Sequence, residues 1–247
     1  MKPSRDRTRH AAFSLIELLA VTAIAALLVM LLAPSLLERA EEGKRAQCIN
    51  NLRQFALAAF IYTSNHGGQF PPAFQAETVA SARYQYAWDF THVREGGKIH
   101  VEPGLLWSGA PNPRVHQCPS FAGSANWLKD PMSGYNYNTS YIGAPSSPAH
   151  RNDIGNPAGT ALFGDGEWAA GANKFMRSPR GSPADNGFSG RHAGTQGYRH
   201  LGKTDVAFVD GHAIFHGEQF TDYDGPTSLI AAGTGFLAPD NSLYDLE

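Results

Sequence analysis

An apolar run near the start of the chain, residues 13–33, constrains the fold more than any other feature. Its only polar side chains are those of Ser14, Glu17 and Thr22. A helix of this length spans about 31 Å, close to the roughly 30 Å hydrocarbon core of a bilayer. The run therefore predicts one transmembrane helix. Because a charged group inside a bilayer costs about 2.5–3.5 kcal/mol on insertion scales, Glu17 is a candidate functional residue.

A basic segment precedes this run. Residues 1–12 contain four basic side chains and one acidic side chain: Lys2, Arg5, Arg7, Arg9 and Asp6. A secretory signal peptide would have a shorter apolar core, closed by a small-residue cleavage site. A plain signal anchor fits the length but leaves Glu17 unexplained. Residues 34–53 also contain four Lys and Arg residues, so the positive-inside rule assigns no orientation.

Residues 12–19, AFSLIELL, resemble the cleavage and methylation motif of type IV pilins and type II secretion pseudopilins. In that family a basic leader is removed before a Phe, whose new α-amine is methylated. The resemblance implies cleavage between Ala12 and Phe13, a methylated amine on Phe13, and a role for Glu17 in assembly. Pro34 falls where pilin helices often carry a helix-bending proline. Ala12 departs from the family, which most often has Gly there.

Phe13 and Glu17 are four residues apart and share one helix face. A methylated amine on Phe13 keeps its charge and would neutralise the Glu17 carboxylate of its own subunit or of the next one. A pair between subunits would also set the axial register of a filament, a use of buried polar groups that we treat as a hypothesis.

The helical pattern continues beyond the membrane-length run. Apolar residues recur at helical spacing from Cys48 to Phe60, and the sequence NHGGQFPP at 65–72 stops the helix. We predict one helix over residues 13–64. The predicted regions are a leader (1–12), a transmembrane and assembly helix (13–34), a helix continuation that packs on the head (35–64) and a periplasmic pilin-like head (65–247).

The head has the composition of a folded domain, in a chain that is 42% hydrophobic and 17% charged. Short segments predict strands at 86–90, 134–142, 160–164 and 206–215. Three segments are predicted as long loops: 65–84, 143–158 and 169–199. The predicted fold class is α+β, with a long N-terminal helix packed on a small, loop-rich antiparallel sheet.

A second resemblance lies in the head. His200, nine further residues, and then Asp210-Gly211 match the His-x9-Asp-Gly signature of a pilin-like bacterial subfamily. The stretches CINNLRQ at 48–54 and CPS at 118–120 resemble its other motifs. This resemblance informs fold and export rather than activity. Taken alone, Asp210-Gly211 predicts a two-residue type I′ hairpin turn.

Histidines and acidic residues of the head suggest two further kinds of site. A zinc or acid–base site would draw on His192, His200, His212, His216, Asp165 and Asp210. These residues lack a tight ligand spacing, so we predict no catalytic residue, no metal ligand and no resident cofactor. Calcium is the one cofactor left open, with oxygen ligands from Asp222, Asp224, Asp240 and the stretch DGE at 165–167.

Cys48 and Cys118 are the only cysteines. In an oxidising periplasm they would pair, and closing so long a loop stabilises a fold by about 4 kcal/mol in the chain-entropy model. Equally, Cys48 lies on the apolar helix face and suits a small buried thiol. Both interpretations stay open.

Together these features predict a structural or export protein rather than an enzyme, a pilin-like pseudopilin subunit of a type II secretion or type IV pilus-like system. The implied partners are a prepilin peptidase and methyltransferase, other pilin-like subunits, an inner-membrane assembly platform and membrane lipid. The net charge of −2 and the absence of a basic patch beyond the leader predict no nucleic-acid partner.

The expected location is the inner membrane, crossed once, with the N-terminus cytoplasmic and the C-terminal head periplasmic. The alternative from another functional class is a membrane-anchored periplasmic binding protein or hydrolase with a His/Asp site in the head.

Overall fold

The structure is a computed structural model that describes residues 14–107, 117–127, 129–131, 134–169, 171–182 and 190–247. Ala12 and Phe13, where cleavage is predicted, lie outside the described residues. The chain divides into two compact units at the boundary between Ala40 and Glu41. The fold class is α+β, with one long N-terminal helix followed by small sheets.

Helix α1, Leu15–Asn65, includes every described residue of the first unit except Ser14. Its apolar stretch is long and apolar enough to cross a membrane by length and composition. The helix runs through Pro34, which has no N–H to bond the carbonyl four residues earlier. It ends one residue after the predicted end, where Gly67 and Gly68 have positive φ and the Gly68 N–H donates to the Thr63 carbonyl at 2.8 Å.

The second unit begins its β structure with a four-stranded antiparallel meander. The strands are β1 (Phe74–Val79), β2 (Ala82–Ala87), β3 (Phe90–Glu95) and β4 (Lys98–Pro103). Gly96 and Gly97, both at positive φ, make the tight turn between β3 and β4. The predicted loop at 65–84 is therefore wrong over β1 and over the first three residues of β2. The side chains of β1 are mostly exposed and carry no alternating burial pattern.

A five-stranded sheet in the order β10-β9-β6-β5-β7 forms the centre of the head. Its strands are β5 (Asn136–Asn138), β6 (Ala161–Gly164), β7 (Phe175–Met176), β9 (Thr204–Phe208) and β10 (Ala213–His216). The strands β8 (Gln196–Gly197) and β11 (Thr234–Gly235) form a separate pair. The purely antiparallel prediction is wrong in one place, because β5 and β7 pair in parallel. Both β7 and β8 fall in the predicted loop 169–199, since two residues are too few to show a strand period.

The hairpin predicted around Asp210-Gly211 is present, but its turn type differs from the prediction. The residue pair of β9 and β10 nearest to the loop is Ala207 with Ala213, so the loop is longer than two residues. Of the two turn residues only Gly211 has positive φ. Asp210 instead accepts the His212 N–H on Oδ1 at 3.0 Å, so the loop is closed by a side chain in the manner of an Asx turn.

The second half of α1 packs on the five-stranded sheet within the second unit. Phe55, fully buried, lies at the centre of this core. Its ring centroid lies 5.4 Å from Trp88, 5.1 Å from Tyr135 and 5.5 Å from Phe163. Such aromatic contacts add about 0.5–1.5 kcal/mol each to the burial of apolar area. The helix is therefore an integral part of the head core.

A buried network of ion pairs links the meander to the start of β7. The Lys174 ammonium lies 3.0 Å from Asp89 Oδ1 and 2.7 Å from Asp130 Oδ2, and all three side chains are at least nine-tenths buried. The same nitrogen lies 4.0 Å from the centroid of the Trp127 ring. His92 Nε2 is 2.8 Å from the other oxygen of Asp130. The lysine thus places one positive charge between two buried carboxylates.

Candidate functional site

Glu17 lies in the first turn of α1, where it forms a capping box with Ser14. The Ser14 N–H and hydroxyl donate to Glu17 Oε2 at 2.9 and 2.7 Å, and Ser14 Oγ accepts the Glu17 N–H at 3.3 Å. This S-x-x-E pattern satisfies donors that a helix start leaves free. The carboxylate therefore has a local capping role in addition to the assembly role predicted from its position in an apolar helix.

The surface around Glu17 is strongly apolar. Large apolar side chains from Leu15 to Leu37 are more than half exposed in the described structure. Leaving apolar area in water costs about 25 cal/mol per Å², and exposed apolar surfaces of this extent are typical of segments that contact lipid or another protein.

The residues of the His-x9-Asp-Gly signature lie in two different environments. His200 is fully buried, at the start of a tight turn in which Leu201 and Gly202 both have positive φ. Asp210 lies on the partly exposed β9–β10 loop, where it caps His212. The signature therefore marks both ends of strand β9 and does not form one constellation.

His200 belongs to a closed cluster with residues from distant parts of the chain. Cys48 comes from α1, Cys118 from the turn that ends at Phe121, and Asp165 from the residue after β6. One ligand-type atom from each of these four residues lies within 4.8 Å of all the others, and all four residues are buried. We call Cys48, Cys118, Asp165 and His200 the Cys–His–Asp cluster.

Distances in the cluster are short throughout. The two Sγ atoms are 3.0 Å apart and are not joined by a bond in this structure. Cys118 Sγ lies 3.7 Å from His200 Nε2, which in turn lies 3.4 Å from Asp165 Oδ2. A disulfide bond would need the sulfurs at about 2.05 Å.

Three charged neighbours surround the cluster. His200 Nδ1 is 3.0 Å from Glu41 Oε1, an oxygen that also accepts the Ser120 hydroxyl. Arg199 donates to Cys118 Sγ at 3.3 Å and to Asp165 Oδ1 at 3.1 Å. Asp205, on β9, is fully buried and lies 3.6 Å from His200 Nε2. Neither oxygen of its carboxylate receives a hydrogen bond from the described residues.

Burial and mutual charge perturb the pKa of these groups. Burial raises the pKa of Asp165 to about 6, against the opposing effect of Arg199. Burial, and then the charge of Asp165, raise the pKa of Asp205 to about 8. Burial disfavours the Cys118 thiolate, but hydrogen bonding from Cys48 and the charge of Arg199 outweigh it and hold the pKa of that thiol well below its usual value. The cluster thus stabilises one thiolate beside acids that resist ionisation.

The other predicted histidines and acids lie outside the cluster. His212 and Asp210 bond each other on the hairpin loop. His192 lies near Trp168 and Tyr223, and His216 ends β10. The structure thus separates the histidines that composition alone grouped together.

The acidic residues considered for calcium are already engaged by protein groups. Asp222 and Asp224 both pair with Arg180, and Asp224 also accepts the Gly181 N–H at 2.7 Å. Asp240 accepts from Ser242, and Glu167 accepts from Arg199 at 2.9 Å. A calcium ion would have to compete with these donors.

Sequence reasoning missed the cluster because it treated the thiols and the His/Asp residues as separate questions. Cys48 and Cys118 had been assigned either to a disulfide or to buried thiols, and Glu41, Arg199 and Asp205 had no predicted role at a site. The sequence did contain one signal. The three stretches that resemble motifs of the pilin-like subfamily each contribute one residue to the cluster, namely Cys48, Cys118 and His200.

Comparison of the chain with protein-family models, with curated proteins and with solved structures finds no match in any of the three.

Proposed function

We propose that the chain is a pilin-like pseudopilin subunit that is processed by a prepilin peptidase and assembles through its N-terminal helix. The observation that carries the proposal is α1 itself. It presents an exposed apolar stretch of membrane length whose one carboxylate, Glu17, lies in the first turn. Helix capping gives that carboxylate a use in any membrane anchor, but only a helix that pairs with a terminal amine requires its charge.

In this proposal the subunit crosses the inner membrane once, with the leader cytoplasmic and the head periplasmic. The leader is residues 1–12, and the new amine lies on Phe13. Lipid covers the exposed apolar side chains before assembly, and the helices of sister subunits replace lipid afterwards. The assembly platform of the inner membrane and the prepilin peptidase are the other partners, and the proposal includes no nucleic acid.

The head supports a structural role better than a catalytic one. The Cys–His–Asp cluster is buried, and a buried group cannot touch a substrate without an opening of the fold. An open surface cleft of about 360 Å³ is lined by Ser124, Asn126, Trp168 and small residues, and none of the described lining residues is titratable. A hydrolase would place convergent acids and bases in such a cleft. We therefore propose that the protein is not an enzyme.

Processing gives the most direct test. The protein isolated from its native membrane should begin at Phe13, without residues 1–12 and with one added methyl group on the α-amine. Mass spectrometry of the intact chain and of its N-terminal peptide measures both changes. A chain that retains Met1, or one that is cut after the apolar run as a signal peptide would be, contradicts the proposal.

A pair of variants separates the capping role of Glu17 from its charge. Glu17→Gln keeps an oxygen that can accept from Ser14 but removes the charge, whereas Ser14→Ala removes the cap and keeps the charge. A buried amine that loses its counter-ion costs several kcal/mol, so we expect Glu17→Gln to reduce recovery with sister subunits more than about tenfold. Ser14→Ala should stay within about threefold, since a lost cap costs only about 1 kcal/mol.

The measurement is co-purification of an untagged wild-type copy with a tagged variant from native membranes. Equal amounts of each variant in the membrane fraction serve as the control for insertion. Recovery of Glu17→Gln at the wild-type level, or loss of recovery in Ser14→Ala alone, would assign Glu17 to helix capping and remove its role in assembly.

A further inference from the structure

The Cys–His–Asp cluster joins α1 to three separate parts of the head, and each part contributes one potential metal ligand. We propose that Cys48, Cys118, Asp165 and His200 bind one structural Zn²⁺ that holds the second half of α1 against the sheet. The proposal goes beyond the assembly function and does not depend on it. Structural zinc sites are closed and four-coordinate, with Cys, His and carboxylate ligands.

Ligand geometry is the first support. A tetrahedral Zn²⁺ with ligands at about 2.0–2.3 Å holds its ligand atoms about 3.3–3.8 Å apart. The Cys118 Sγ to His200 Nε2 distance of 3.7 Å and the His200 Nε2 to Asp165 Oδ2 distance of 3.4 Å fall within that range. The two sulfurs, at 3.0 Å, would need to separate by about 0.8 Å to reach the tetrahedral spacing.

The orientation of His200 is the second support. Its Nδ1 faces the Glu41 carboxylate at 3.0 Å, and its Nε2 faces the cluster. Histidine ligands of metals commonly donate their other ring N–H to a carboxylate, which fixes the tautomer that leaves the second nitrogen free to bind. Glu41 is itself held by the Ser120 hydroxyl. It is therefore a positioning residue for the proposed ligand.

Asp205 is the third and independent support. Its carboxylate is fully buried, lacks any hydrogen-bond donor among the described residues, and lies 3.6 Å from His200 Nε2. A buried carboxylate without donors is costly unless a cation lies close by. Arg199 is directed at Cys118 and Asp165 rather than at Asp205. A divalent cation at the centre of the cluster would compensate Asp205 as well as the ligands.

A disulfide between Cys48 and Cys118 is the competing state, and it excludes zinc because both thiolates are consumed. It would also leave Asp165, Asp205 and His200 together without an added cation. Such a bridge would explain the proximity of the sulfurs but not the convergence of the other side chains. The two states are distinguishable by metal content and by the oxidation state of the cysteines.

The test is the metal content of the full-length protein, purified in detergent without a histidine tag, a chelator or a thiol-alkylating reagent. A separate portion of the native membrane is denatured and alkylated to record the oxidation state of the two cysteines. We expect about one zinc per chain by plasma mass spectrometry, in keeping with a single four-ligand site. Cys48→Ser and Cys118→Ser should each lower this by more than about tenfold, since each removes one ligand. His212→Gln, which alters an exposed histidine outside the cluster, should retain the wild-type content.

A cysteine variant could lose zinc simply because it fails to fold, so cobalt exchange tests cysteine ligation in the wild-type protein. Wild-type protein loaded with Co²⁺ should show a thiolate-to-cobalt charge-transfer band in the near ultraviolet, which reports cysteine ligation in the folded chain. Wild-type protein without zinc and without that band overturns the proposal, as does an intact mass lower by two hydrogens. Zinc retained in both cysteine variants overturns it as well.

The Glu41→Gln variant tests the orientation of His200 through a partial loss of metal affinity. Loss of a carboxylate that orients a histidine ligand lowers metal affinity about 10–100-fold. Competition with a chromogenic chelator should show that decrease for Glu41→Gln, whereas Glu38→Gln, one turn earlier on α1, should match the wild type. Equal affinities in the two variants would overturn the assigned orientation of His200.

Discussion

Lys174→Met should lower the free energy of unfolding of the head by about 3–5 kcal/mol, because it removes the cation shared by two buried carboxylates. The Lys174 ammonium lies 3.0 Å from Asp89 and 2.7 Å from Asp130, and the side chain is 3% exposed. Methionine has similar length and fits the apolar part of the site. The loss is therefore electrostatic rather than a loss of packing.

The measurement is urea unfolding of the full-length protein in a mild detergent, followed by tryptophan fluorescence. All four tryptophans, Trp88, Trp107, Trp127 and Trp168, belong to the second unit, so the signal reports the head alone. Lys98→Met, on the exposed edge strand β4, is the matched control and should change the stability by less than about 0.5 kcal/mol.

A double variant distinguishes charge from a general defect. Lys174→Met combined with Asp130→Asn removes one of the two uncompensated charges and should recover part of the lost stability. If the double variant is less stable than Lys174→Met by the full cost of Asp130→Asn alone, the two residues are not coupled and the electrostatic explanation is wrong.

Phe55→Ala should cost about 3–5 kcal/mol of head stability, the range measured for large aromatic truncations in well-packed cores. Phe55 is fully buried and contacts the rings of Trp88, Tyr135 and Phe163. The cavity would open between α1 and the sheet, where rigid aromatic rings cannot collapse to fill it.

Leu57→Ala is the matched control for Phe55→Ala, since it lies two residues later on the same helix with 58% of its surface exposed. Alanine has the higher helix propensity, so we expect a change within about 0.5 kcal/mol. The same urea titration yields both values, and the comparison requires an unchanged dependence on urea concentration. Similar losses in the two variants would place α1 outside the cooperative core.

The long helix was predictable because its signals are local. Helical spacing of apolar residues and a stop rich in Gly and Pro lie within the segment itself, and α1 ends at Asn65, one residue beyond the predicted end. Strand β6 and the β9–β10 hairpin were likewise close to their predicted positions. The strands β1, β4, β7, β8 and β11 were missed, and they are defined by their pairing partners. Of these, β7, β8 and β11 have two residues each, and most side chains of β1 are exposed.

The hairpin loop shows how tertiary contacts override a local rule. Asp210-Gly211 favours a two-residue turn, yet the pairing of Ala207 with Ala213 leaves a longer loop. The Asp210 N–H donates to the Pro157 carbonyl at 3.0 Å, and the Asp210 side chain caps His212. These contacts stabilise the loop in a conformation that lacks the positive φ at Asp210 required by a type I′ turn.

Residues 13–33 alone were enough to single out Glu17, because an isolated carboxylate in an apolar run is anomalous whatever the rest of the chain does. The Cys–His–Asp cluster had no such local signature. Cys48 and Cys118 are separated by 70 residues, and Glu41 and His200 by 159. Only the packing of α1 on the five-stranded sheet brings these side chains within bonding distance. Periodicity is a property of neighbouring residues, whereas a ligand set assembled from four elements is a property of the fold.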